Sequence, residues 1–157
     1  MELPMLLPLL LGSITVVVTM GIQVVAVVLI IRYLIVLMAK NKGAKFSFKF
    51  DTYSLSVVML MLFAGHLLQI TIWALLFMQL GEFDSLHTAF YHSAVNFASL
   101  GYGDIVMSEK WRLLGALEAS NGVLMFGLSA GAMLSVMLRI FDSHRSAGYL
   151  TGRHKTE

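Results

Sequence analysis

The chain has 157 residues, 58% of them hydrophobic and 13% charged, with a net charge of +2 and no cysteine. A soluble domain carries about 25% charged residues, so this composition belongs to a protein that uses lipid as its solvent. It leaves no polar stretch long enough to build a second core. The missing cysteines exclude a disulfide scaffold and a thiolate metal site, without fixing a compartment.

The start, MELPMLLPLLLG, has no basic segment ahead of its apolar run and does not read as a cleaved signal peptide. Pro4 and Pro8 suit the beginning of a helix and would be awkward further in. Three apolar runs follow, at about residues 9–38, 53–80 and 113–138. Each exceeds the ~20 residues that cross a bilayer as a helix, and tilt takes up the excess. The first run holds only Gln23 and a few hydroxyls, which suits an outer, lipid-facing place. Trp111 suits an interfacial anchor before the third run.

The connection KNKGAKFSFKFD alternates basic and aromatic residues and reads as a short loop whose lysines set topology, with contact to an anionic leaflet as the other reading. Between the second and third runs lies HTAFYHSAVNFASL, residues 87–100, too short to span. Asp84 and Ser85 can cap its start. It runs straight into Gly-Tyr-Gly-Asp, poor helix and poor strand. Backbone of that kind inside a membrane must be sheltered by protein or line water. The stretch therefore reads as a re-entrant helix that returns to the side it came from.

Orientation follows from the basic residues. Arg32, Lys40, Lys42, Lys45, Lys49, Arg139, Arg145, Arg153 and Lys155 fall on one side of a three-span arrangement, and only Lys110 and Arg112 on the other. This places the N-terminus outside and the C-terminus in the cytoplasm, in an inner or plasma membrane. The tail from residue 142 is polar and expected to be mobile.

SLGYGD, residues 99–104, behind a short helix and ahead of a spanning one, resembles the selectivity filter of potassium channels, usually T-V-G-Y-G-D. The resemblance covers about residues 53–138, and the whole chain is similar to short three-helix prokaryotic ion channels. It implies an all-α membrane protein of three transmembrane helices with a re-entrant pore helix and filter loop. The organisation expected is an N-terminal helix and basic loop (1–52), a pore module (53–139) and a short tail (140–157).

The resemblance further implies ion sites at the carbonyls of Ser99, Leu100, Gly101 and Tyr102, with the Ser99 hydroxyl helping at the inner end. Gly101 and Gly103 would supply the dihedrals that turn successive carbonyls one way. Tyr102 would pack against the pore helix. Asp104 would sit at the outer mouth and form a hydrogen bond behind the filter. One loop per chain implies a homotetramer around a shared axis. Potassium is then the permeant ion, with no cofactor, nucleic acid or small-molecule substrate. Ser99 and Leu100 depart from the usual Thr and Val, and Val95 stands where some members carry a glutamate. These changes keep the backbone sites but leave preference over sodium open. A non-selective channel and a non-conducting scaffold or regulatory subunit remain as alternatives.

In the third run Glu118 falls near the depth of the filter and can hold the pore loop by hydrogen bonds. Gly122 falls about where the family bends its inner helix, or else permits close packing. Gly127 and Gly131 read as a packing face. Val123, Phe126 and Ala130 can line a vestibule. His66 and Gln69 lie near mid-membrane and read as bonded to a neighbouring helix, His66 having a proton-sensitive gate as its second reading. GLSAG matches a hydrolase pattern but lies within a spanning helix, where the required strand-turn-helix is missing. No metal cluster, P-loop or nucleophile-histidine pairing suggests an enzyme, and no segment repeats the arginines of a voltage sensor.

Overall fold

Long apolar runs without internal glycine clusters or chain breaks favour long helices, because in lipid a helix satisfies every backbone group within itself. The computed structural model describes residues 3–40 and 48–146. It contains α1 (Leu3–Lys40), α2 (Phe48–Gln79), the short α3 (Leu86–Phe97) and α4 (Arg112–Ser146). No strand occurs among the described residues. Three of the helices are long and apolar enough to cross a membrane, over Met5–Leu37, Lys49–Gln79 and Arg112–Asp142.

The helices outrun the apolar runs. α1 continues through Pro8, which lies in its second turn and not at its start. One missing N–H so near the end costs a single intrahelical bond in a helix of 38 residues. Residues 48–51, expected as part of a loop, form the first turn of α2, with Asp51 placed favourably against the helix dipole. α4 runs to Ser146, past the boundary expected at residue 139. The rest of the basic connection (41–47) and of the polar tail (147–157) lies outside the described residues.

α1 packs against both α2 and α4. Ile30 and Leu34 meet Val58, Leu62 and Val136 in one apolar cluster. A second cluster, around Trp73, Phe77, Phe97, Met107, Trp111, Leu114 and Met125, holds α3 and the chain after it between α2 and α4. Trp111 is thus buried in the core and does not act as a surface anchor.

α1 has two unlike faces. One of its faces is exposed and apolar, with Leu10, Ile14, Val17, Val25 and Val28. The other is a polar seam, Thr15, Thr19 and Gln23, all buried. At spacing four these residues share one side of the helix. Gln23 Nε2 donates to Ser129 Oγ of α4 at 2.7 Å. Gln69 Nε2 of α2 donates to Gln23 Oε1 at 2.7 Å. Ser129 Oγ also lies 3.0 Å from His66 Nε2. Higher up, Asn121 Nδ2 donates to Thr19 Oγ1 at 3.0 Å. Three helices are joined by side chains that have no water to turn to in a bilayer.

Candidate functional site: the return loop between the second and fourth helices

α3 begins at Ser85, whose extended backbone and side chain cap the helix by accepting from the Thr88 N–H at 3.2 Å. Its buried face carries Ala89, His92, Ser93, Val95 and Phe97. The turn ends with Ser99 N–H donating to Asn96 O and Leu100 N–H to Val95 O. From there the chain runs without regular structure to Trp111.

Within that run the backbone alternates. Ser99 has φ +55°, Gly101 +58° and Gly103 +73°, while Leu100 and Tyr102 between them keep negative φ. A methyl group at Gly101 or Gly103 would meet open space, so the constraint on both is dihedral and not steric crowding. Ser99 holds a left-handed conformation without being glycine, a strain of about 1–3 kcal/mol of the sort that collects at functional sites.

The loop is tied at three levels. Between the end of α2 and the start of α4, Ser108 N–H and Oγ donate to the two oxygens of Glu82, at 2.7 and 2.6 Å. This bidentate contact brings the return of the loop beside its departure from α2. Next, Tyr91 Oη donates to Asp104 Oδ2 at 2.7 Å. That bond holds the Asp104 carboxyl below the usual carboxylate range and the Tyr91 hydroxyl above its own. Behind it, His92 Nδ1 lies 3.1 Å from Ile105 O and Nε2 lies 2.9 Å from Asn96 Nδ2. A carbonyl only accepts, so Nδ1 carries the proton and Nε2 accepts from Asn96. Burial pushes the His92 imidazole down, in keeping with this neutral tautomer.

α4 supplies the inner support. Glu118, fully buried, meets Ser93 Oγ through Oε1, and Ser93 Oγ also donates to Ile70 O at 2.8 Å. Gly122 is buried against the end of α3, and a Cβ there would overlap the Phe97 carbonyl oxygen and lie 2.8 Å from the Phe97 carbonyl carbon. Close packing of the two backbones is what this glycine allows here. Phe126 stacks edge-on to Phe97 and to His66, with ring centroids 5.6 and 5.0 Å apart.

Other expected residues stand differently. Ser99 Oγ is turned toward Ala119 O of α4, at a long 3.4 Å. Tyr102 is 65% exposed within one chain. Val123 and Ala130 are exposed within one chain. Gly127 and Gly131 have no neighbour within 4 Å of a Cβ, so within one chain they are not a packing face. Sequence reasoning missed the Glu82–Ser108 staple, His92 and Ser93. The polar face of an otherwise apolar short helix, His92, Ser93 and Asn96, was the signal that could have found the last two.

Among the described residues no three His, Cys, Asp or Glu side chains gather as a metal site. A family model described as "Ion channel" matches residues 55–139, which is 85 of the 157 residues. The chain belongs to the ion channel family. No curated protein and no solved structure matches it. It is a multi-pass membrane protein, and the matched part of this ion channel runs from the first turns of α2 to the last turns of α4.

Proposed function

We propose that the chain is one subunit of a homotetrameric, passive, potassium-selective channel in which four return loops meet on a common axis. The observation that carries this reading is the positive φ at every second residue, 99, 101 and 103. Alternation of left- and right-handed conformations turns successive carbonyls to one side, and a ring of such carbonyls can replace the hydration shell of a cation. Ser99, Leu100, Gly101 and Tyr102 contribute those carbonyls, and Gly103 closes the curve. α3 is the pore helix, and its C-terminal dipole favours a cation in front of Phe97. Asp104, Tyr91, Ser93 and Glu118 support the loop from behind. The Glu82–Ser108 staple supports a re-entrant path, and the clustering of basic residues supports a cytoplasmic C-terminus.

The test is flux of rubidium or potassium into liposomes holding the purified protein. Gly101→Ala imposes a strained φ without filling any space, and flux is expected to fall at least tenfold. Undiminished flux in that variant would remove the loop from the conduction path. Reversal potentials in mixed potassium and sodium separate a selective from a non-selective pore. Silent tetramers under all conditions favour a scaffold.

A further inference from the structure

Beside the polar seam, on the side of α4 away from α2, α1 and α4 leave an open groove of about 520 Å³. Val27 and Ile31 of α1 and Gly127, Gly131 and Ser135 of α4 line it, and Arg139 stands at one end. The glycines make it: a Cβ at either would touch nothing, so α1 does not fill the face they present. The lining on α4 runs from Gly127 to Arg139, twelve steps of 1.5 Å or about 18 Å. That is close to the hydrocarbon depth of one leaflet, about half of 30 Å. All of it falls within Met5–Leu37 and Arg112–Asp142, the segments that cross the membrane.

Arg139 gives the groove a polar end. It is exposed, and no carboxylate among the described residues pairs with it; Asp142, one turn on, does not. The end it occupies is where Arg32, Lys40 and Lys49 also lie, while Glu82, Asp84 and Glu109 lie at the other. A planar guanidinium binds phosphate oxygens two at a time.

We propose that this groove is a binding site for one phospholipid of the leaflet at the Arg139 end. An acyl chain lies along Gly127, Gly131 and Ser135, and Arg139 holds the headgroup phosphate, with preference for a lipid of net negative charge. The site needs only that α1 and α4 cross the membrane, and it stands whether or not the return loop conducts potassium.

The test is native mass spectrometry of the full-length protein, delipidated in detergent and supplied with phosphatidylglycerol or phosphatidylcholine. One phosphatidylglycerol per chain is expected, retained about fivefold over phosphatidylcholine, the factor for one basic residue at an anionic surface. Arg139→Gln is expected to bring the two lipids level, and Arg112→Gln, at the opposite end, to leave the preference unchanged. Gly131→Phe fills the groove and is expected to lower retention of both lipids. Equal retention by the unaltered protein, or a preference that survives Arg139→Gln, overturns the proposal. So does a Gly131→Phe protein that keeps its lipid or falls apart into single chains, the latter marking the groove as a contact between copies.

Discussion

Asp104 and Tyr91 form the pair in the return loop that an experiment can titrate. Because the folded carboxyl sits below its ordinary value, the contact stabilises the loop above the usual carboxylate range near pH 3.9. It is lost as pH falls through the lowered value. Tyr91→Phe removes the cause of the depression. Loss of flux on external acidification is therefore expected to begin at a higher pH in that variant, which a pH profile in liposomes reads directly. A second test concerns Gly122. Its contact with the Phe97 carbonyl means that Gly122→Ala must displace backbone, at a cost of about 1–3 kcal/mol. A clear drop in the melting temperature of the assembled protein is expected. An unchanged melting temperature with altered opening would favour a hinge over packing as the role of this glycine. The glycines of the loop were legible in the sequence because a turn motif carries them. The part Gly122 plays was not, since a close approach of two backbones leaves no mark on spacing. Nor did spacing alone name Tyr91 as the partner of Asp104 until the fold brought the pair together.

At the scale of elements, the polar seam decides how the first helix behaves. A run of valines and leucines with one glutamine reads as a lipid-facing helix, and the sequence alone weighs Gln23 as a lone exception. Its partners Gln69 and Ser129 are 46 and 106 residues away, and no periodicity within α1 announces them. Gln23→Leu keeps the volume and removes one bond from each partner, leaving Ser129 its contact with His66 and Gln69 a long one to Gly65 O. A loss of about 1–3 kcal/mol is expected from the unpaired groups, while bonds of this type within bilayers average nearer 0.6. Thermal unfolding of Gln23→Leu, Ser129→Ala and the double variant measures it. Losses that simply add would mean that the two side chains act independently. Helix existence was readable for the three long elements because apolar length alone forces it in lipid, and for α3 from its capping residues and the turn after it. Helix ends were not, because nothing in composition stops α4 at the boundary of the hydrocarbon.

For the whole molecule, the reading as a pore requires four copies. Native mass spectrometry is expected to find a species of about 70 kDa, four times 17.4 kDa, before detergent and lipid are counted. A dimer or trimer as the largest species would leave the loops without a closed ring. The exposure of Tyr102 and Leu100 belongs to this scale: in one chain both stand bare, and only neighbours can cover them. The membrane class and the span count followed from composition, whereas the placement of α1, parallel to α4 and antiparallel to α2, depended on pairings no single run contains.

That placement bears on any attempt to pare the protein down. Deleting the first forty residues looks like a harmless trim to a two-helix minimal pore. It would instead take the Gln23 partner from Ser129 and Gln69 and turn two hydrogen-bonding groups toward oil. A shortened version would have to replace those two with aliphatic side chains before it could be expected to insert and hold its shape.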